Sequence, residues 1–435
     1  MDLTAALRYL DEHVNLEATA GRVEGLSLER MRALVHVLGD PHLAYGVIHI
    51  TGTNGKGSTA RMVTELLRAS GLAVGTYTSP HLETVNERIA YDGEPIADDE
   101  LAELISDLAA VEPLLEHRPS YFELLTAAAF RWFADRGVDV AVVEVGLLGR
   151  WDATNVVESQ VAVLTNVGHD HTDGVGDWRR RIAEEKSGIV KPGATFVLGE
   201  ADPALRDVFT ATPAAEIWLR GDTFGCERND LAVGGRVADL RTPSGVLDDV
   251  QIPLHGAFQG DNAAAALAAA EAFFGRRLPD DLVRSAFAGV QVPGRFEILA
   301  HEPLVILDGA HNLDGAAAEA ATLHEEFTLT GSLVLVVGML RGRDPVEMLD
   351  AMGAREAGYV VACSPPSPRA IPAAEVAAAA DRLGVVAEAV PDVAHALARA
   401  RSFATAEDVI VVTGSLYVVG AARRSLHDQA AELAG

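Results

Sequence analysis

ITGTNGKGST, Ile50 to Thr59, separates the apolar run YGVIHI from the helix-like RMVTELLRAS. Its glycines, lysine and hydroxyls belong to a phosphate-binding loop, but Gly57 stands between Lys56 and Ser58, where the GxxxxGK[ST] pattern has no residue. Gly52, Gly55 and Gly57 let the backbone approach phosphate oxygens, and a following helix turns its N–H groups and positive dipole end to the same point. Lys56 adds a point charge, and Ser58, or else Thr59, offers a hydroxyl to a magnesium ion. A plain glycine turn is the commoner source of so short a pattern. The strand before, the helix after and the lysine with hydroxyls favour a nucleotide site instead.

Around the loop, apolar runs alternate with amphipathic stretches. VIHIT, VGTYTSP, VDVAVVEVG and VAVLTNVG read as strands, and LAELISDLAA and YFELLTAAAFRWFADRG as helices between them. That rhythm predicts a parallel sheet covered on both faces. From about Phe224 to Leu254 it breaks into short polar strands and turns, read as a β meander before the Ala-rich DNAAAALAAAEAFFG. A second series, PLVILDGAHN, SLVLVVGML, GYVVACSP, GVVAEAV and DVIVVTGS, predicts a Rossmann-like domain. Pro293 and Gly294 punctuate the chain before it, so residues 1–295 and 296–435 are the expected domains.

The 435 residues exceed what a single core organises, consistent with two domains. The acidic, amphipathic N-terminus lacks the basic start and apolar core of a signal peptide, and no apolar run reaches membrane-spanning length, so a cytoplasmic protein is expected. Cys226 and Cys363 are too few for a disulfide framework or a cysteine-ligated metal. A net charge of -28 argues against nucleic-acid binding and requires a local positive site for any anionic substrate.

Three more residues carry chemistry. Glu144 ends the apolar strand DVAVVEVG, where a buried carboxylate needs a partner; Arg150 is the ordinary candidate, a metal ion the functional one. Asp170 and His171 end the next strand in TNVGHDH, although imidazole is an unusual magnesium ligand. Lys186, in RRRIAEEKSGIVKPG, reads on composition alone as part of a solvated, salt-bridged helix.

Taken together, the words TGTNGKGS (51–58), TSPHL (78–82), ERI (87–89), YFE (121–123), VEVGLLGRWDATN (143–155), DHTD (170–173), EKSGIVKPG (185–193), PGRFE (293–297), DGAHN (308–312) and TGSLYVVG (413–420) resemble the folylpolyglutamate synthase and dihydrofolate synthase family of the Mur ligase superfamily. The glycine between lysine and hydroxyl is similar to the folate-ligase form of the loop. The resemblance implies an ATP-dependent ligase that joins L-glutamate to a folate or to dihydropteroate. It implies that Thr53, Asn54, Gly55, Lys56, Gly57 and Ser58 hold the ATP phosphates, with Asn262, Arg295 and Asp308 also on the nucleotide and His311 beside them. Ser79, Glu144 and His171 match magnesium ligands, and Lys186 matches a lysine that is carbamylated to a metal-binding carboxylate. Phe122, Asp152 and the Gly25 to Arg30 segment match the region that receives the pterin. Lys56, Lys186 and His311 are the expected catalytic residues, and a monomer is expected. Leu148 and Trp151 depart from the family's GLGGR and its following Leu, adding bulk near the substrate region, and GRD at Gly342 to Asp344 lacks a family lysine that Arg341 or Arg343 is positioned in sequence to replace. Two alternatives remain: a Mur-type ligase for another acid and amino acid, and a nucleotide switch that ligates nothing.

Overall fold

The computed structural model describes residues 1–15, 27–169 and 176–434. Asp170, His171 and the start of the Gly25 to Arg30 segment therefore lie outside the described residues.

Eight strands make the first sheet: β1 (Gly46–Thr51), β2 (Val74–Tyr77), β3 (Ile89–Tyr91), β4 (Glu94–Pro95), β5 (Val140–Glu144), β6 (Val161–Leu164), β7 (Thr195–Leu198) and β8 (Glu216–Leu219). Their order is β4-β3-β2-β5-β1-β6-β7-β8. From β2 to β8 neighbouring strands are parallel, and β3 and β4 add an antiparallel edge. The parallel strands VAVVE and VAVL are buried at every position, as a sheet covered on both faces demands. The edge hairpin is not foreshadowed by the apolar rhythm; its last strand is two residues ending in a proline that blunts further pairing.

One face carries the helix Lys56–Ala69 and the alanine-rich helix Phe258–Phe274, which share a core with Ile48, Ile50, Val140 and Val163. Small side chains from Asn262 to Ala270 let this second helix approach closely, which explains why it is buried nearly all round. The other face carries Tyr121–Arg136, started by a reciprocal capping box between Ser120 and Glu123 and ended by Gly137 in the left-handed conformation.

The meander consists of β9 (Gly225–Ala232), β10 (Gly235–Thr242) and β11 (Gly245–Ile252). At eight residues each, its strands are longer than the short ones the sequence predicts, because Ala238, Leu240, Leu247, Val250 and Ile252 supply one apolar face to the core under the alanine-rich helix. The second large sheet comprises β12 (Glu297–His301), β13 (Leu304–Leu307), β14 (Leu333–Val337), β15 (Tyr359–Ala362), β16 (Ala387–Ala389) and β17 (Val409–Thr413), in the order β12-β13-β17-β14-β15-β16. It is parallel except for β12, which turns back antiparallel on β13. No helix among the described residues is long and apolar enough to cross a membrane.

Candidate active site

In the first sheet β5 and β6 flank β1 on opposite sides, so the winding direction reverses at β1. A crevice opens beyond the carboxyl ends of strands at such a reversal, and the glycine loop leaves β1 there. Gly55 takes φ 82° immediately before the helix, a conformation that favours glycine, and a Cβ on it would collide with Asn262 Oδ1. Asn262 thus lies directly against the loop. The helix beginning at Lys56 has no side-chain cap, so its first N–H groups are available to an anion. Lys56 Nζ donates to the Thr53 carbonyl at 3.2 Å, within the loop's own turn. Ser58 and Thr59 are both buried in the first helical turn.

Asn54 is held from two sides. Its N–H donates to Asn166 Oδ1 at 3.0 Å, and its carbonyl accepts from Thr165 Oγ1 at 2.6 Å. Its side-chain amide exchanges hydrogen bonds with that of Asn312, at 3.3 Å and 2.9 Å, across 258 residues of chain. Asn312 caps the helix Leu313–Glu326, whose Asp314 also accepts from the His169 N–H at 3.0 Å. Thr165, Asn166, Asn312 and Asp314 were not singled out from the sequence, although TNVG and DGAHN contain three of them.

Glu144 lies at the mouth of the same crevice, only 4% exposed. It does not pair with Arg150, whose guanidinium faces Glu185 and the Glu184 carbonyl. Instead one carboxylate oxygen accepts weakly from the Ser79 N–H at 3.4 Å, and a Cβ on Gly57 would lie 3.6 Å from that oxygen. Burial raises the Glu144 pKa, opposed by Lys56, the Ser79 N–H, Arg295 and Arg61. A desolvated carboxylate beside a hydroxyl residue and an uncapped phosphate loop fits magnesium, which prefers oxygen donors and keeps several from water and phosphate. Among the described residues no three His, Cys, Asp or Glu side chains form a protein-only cage. His171 lies outside them.

Lys186 is buried at 5% exposure near the end of the helix Trp178–Ser187, which rules out the solvated-helix reading. The loop that follows β5 lies against this helix end. A Cβ on Gly149 would stand 3.0 Å from the Lys186 carbonyl, so only glycine permits the approach. Leu148 takes φ 58° in that loop, its carbonyl accepting from Thr51 Oγ1 at 2.6 Å. Its partly buried side chain packs against the cluster that contains Val145, Val167, Ile182 and Ala183, so its bulk goes towards the core under the helix. Trp151, by contrast, is 43% exposed.

Asp152 is buried and accepts from the Leu147 N–H at 2.7 Å, the Thr154 N–H at 3.0 Å and the Thr154 hydroxyl. Burial raises its pKa, and these hydrogen bonds oppose the rise. Phe122 lies where a Cβ on Gly146 would collide with its ring, 6.0 Å from the Tyr77 centroid.

At the junction between the two large sheets, Asp308 accepts from the Phe296 and Ala310 N–H groups, both at 2.8 Å. Burial raises its pKa, while Arg295 and these N–H groups oppose the shift. Arg295 also presses on Gly309, where any side chain would collide with its guanidinium. His311 Nδ1 lies 2.8 Å from the Gly309 carbonyl, and Arg343 donates to the His311 carbonyl at 2.9 Å. Of the two arginines suggested to replace the missing lysine, Arg343 is thus the one at this corner; the Arg341 main chain pairs with that of Arg369.

This arrangement matches known proteins. The Mur ligase middle domain matches residues 50–270, and the Mur ligase, glutamate ligase domain matches residues 294–416. A dihydrofolate synthase/folylpolyglutamate synthase from Mycobacterium tuberculosis is 40% identical, over 91% of this chain and 89% of its own. The chain belongs to the folylpolyglutamate synthase/dihydrofolate synthase family of Mur ligases. Within that family, the structure of Mycobacterium tuberculosis folylpolyglutamate synthase complexed with ADP superposes with a TM-score of 0.91 at 39% identity, covering 98% of each chain. A bifunctional folylpolyglutamate synthase/dihydrofolate synthase with Mn, AMPPNP and L-glutamate bound superposes at 0.86 with 30% identity, again over 98% of each. Like its folylpolyglutamate synthase relatives, this chain is an ATP-dependent acid–amino-acid ligase.

Proposed function

We propose that the protein joins L-glutamate to the carboxylate of a folate or of dihydropteroate, consuming ATP. The observation that carries this reading is the convergence on Glu144: a buried carboxylate lies under the electrostatic influence of Lys56 from the glycine loop and of Arg295 from the junction with the second sheet. Positive groups from both sides of one crevice suit the transfer of a phosphoryl group.

A carboxylate is too poor an electrophile for an amine. In the proposed sequence, the substrate carboxylate oxygen attacks the γ-phosphorus, the bond to the β–γ bridging oxygen breaks, and ADP leaves. The glutamate amine then attacks the acyl phosphate carbonyl, loses a proton, and inorganic phosphate departs. Lys56 and the N–H groups at the helix start hold the phosphates, while Arg295 balances charge on the transferring group. Ser79 and Glu144 would hold magnesium, with His171 and Lys186 as its further expected ligands, and the ion would supply further charge neutralisation. Lys186 joins that role as a carbamate, since an ammonium repels the ion. Asn262, Asp308 and His311 complete the nucleotide side, and Phe122 and Asp152 receive the pterin. The division at Arg295 and Phe296 belongs to the same reading: residues 1–295 and 296–435 close on each other, excluding water from the acyl phosphate.

The test is to incubate the protein, magnesium and ATP with dihydropteroate or tetrahydrofolate, with and without glutamate. A product one glutamyl unit heavier by mass spectrometry is expected, and hydroxylamine in place of glutamate traps a hydroxamate. Glutamate-independent ATP hydrolysis alone would sink the ligase reading for these acids.

A further inference from the structure

Lysine is scarce in this chain: three residues stand against 32 arginines. Lys56 lies in the phosphate loop, and Lys186 is buried at the end of its helix with a proposed role as a metal ligand. The third, Lys191, has been given no task.

Lys191 follows the helix that carries Lys186, and its ammonium donates to the Asn155 main-chain carbonyl at 2.9 Å. Asn155 in turn spends its side-chain N–H groups on the Arg150 carbonyl at 2.9 Å and the Gly188 carbonyl at 3.1 Å. The Arg150 N–H donates to the Glu185 carbonyl at 2.8 Å. Where the two segments cross, a Cβ on Gly188 would sit 2.5 Å from Arg150 Cβ and 2.8 Å from its Cα, so only glycine lets the segments approach this closely. Residues 150–155 and 185–191 are therefore stitched into one unit, with Asp152 on one segment and Lys186 on the other. The geometry points to Lys191 as a positioning residue of the ligase, its ammonium holding the Asp152 loop in register with the Lys186 helix end. This rests on the proposal that Asp152 serves the pterin acid.

The choice of lysine supports it. Where arginines of this chain meet carboxylates, as Arg180 does with Asp207 and Arg228 with Asp239, a planar fork meets two oxygens. Lys191 meets a single carbonyl in a confined place, which suits a compact ammonium on a flexible stem. Burial lowers its pKa, with nearby Glu158 opposing the shift, so a cation is kept here against a desolvation cost. An unneeded group of that kind is readily replaced by an apolar one.

The experiment compares full-length wild type with Lys191→Met and Lys191→Ala. Wild-type turnover with dihydropteroate or tetrahydrofolate is measured first; if only another acid is used, the pterin reading falls by itself and the KM for that acid takes the same comparison. The expected result is a rise of about tenfold or more in the KM for the acid, the scale of a small displacement at a binding group, with affinity for a nonhydrolysable ATP analogue within about twofold of wild type. Ethylamine added to Lys191→Ala should recover part of the lost KM and leave wild type unaffected. Wild-type constants in Lys191→Met overturn the proposal. So does an equal loss of acid and nucleotide affinity that amine does not relieve, since that marks a general structural role. Should Lys191→Met fail to fold, Lys191→Arg carries the comparison: a raised acid KM with unchanged nucleotide affinity supports the assignment, and wild-type constants overturn it.

Discussion

His49, fully buried in β1, shows what a single polar residue costs and what it holds. Thr154 spends its hydroxyl proton on Asp152, so it accepts from His49 Nε2–H across 2.9 Å, and His49 Nδ1 has no partner among the described residues. Burial drives its pKa down to about 3 from 6.5, helped by the charge of Lys191. The folded state therefore keeps His49 neutral while the unfolded state takes a proton below pH 6.5, so its contribution is complete above that pH and is lost as pH falls towards 3. Between pH 7 and about pH 5 the loss from this residue is about 2 kcal/mol. Urea unfolding of His49→Gln across that interval should show a shallower pH slope than wild type. Lys186 gives a second residue-scale prediction: Lys186→Ala should cost about a hundredfold in turnover, with short carboxylates such as acetate restoring part of it. Turnover of the wild type depleted of carbon dioxide and then given bicarbonate checks carbamylation directly; an unchanged rate contradicts it.

At the scale of an element, the loop from Gly146 to Asp152 trades backbone strain for packing. Leu148 sits at φ 58°, which costs a non-glycine residue about 1–2 kcal/mol, while its side chain fills space under the helix Trp178–Ser187. Leu148→Ala loses the packing and keeps the strain, whereas Leu148→Gly loses the packing and relieves it. The glycine variant should therefore be the more stable of the two by about 1 kcal/mol in denaturant unfolding, the reverse of the usual order inside regular structure. The helix Leu313–Glu326 makes the opposite trade at its far end. Glu326 accepts from Arg236 at 2.6 Å, His255 at 2.8 Å and the Gly256 N–H at 2.8 Å, tying the meander side of the first sheet to the second. Removing that carboxylate leaves a guanidinium only 3% exposed with Asn229 and, at 3.4 Å, Glu325 as its remaining partners. Glu326→Ala should destabilise by about 1–3 kcal/mol, read by calorimetry. A change near zero would mean that Glu325 takes over the lost pairing.

Across the whole molecule, charge sets the behaviour. At -28, with 63 acidic residues against 35 basic ones, the folded chain repels itself, and salt screens that repulsion over about 10 Å at 0.1 M. The melting temperature should rise steadily between about 0.1 M and about 1 M sodium chloride, where the screening length shrinks to about 3 Å. A flat or falling profile would show that local ion pairs, such as those of Arg228 and Arg179, outweigh the net repulsion. In the proposed function an ATP molecule and a pterin acid approach a negative body, and Lys56 and Arg295 are the cations that would receive them.

Much of this was determined by the sequence alone. The glycine loop between strand and helix, the parallel rhythm of both sheets and Glu144 at a strand end depend on neighbours within one or two elements, which periodicity and turn chemistry record. Only the tertiary structure decided the rest. β12 runs antiparallel because its partner follows immediately by a tight turn, and FEILAH carries no mark of direction. The Asn54–Asn312 amide pair, the hold of Asp308 on the Phe296 N–H, and the path from His49 through Thr154 to Asp152 join residues that are distant in sequence or differently placed in local structure. Nor does composition separate the exposed Trp151 from the inward-packed Leu148 three residues earlier. A hydrogen bond or a packing contact is fixed by where folded backbones bring two groups, and amide, hydroxyl and carboxylate side chains have the same local preferences whether or not a partner waits across the crevice.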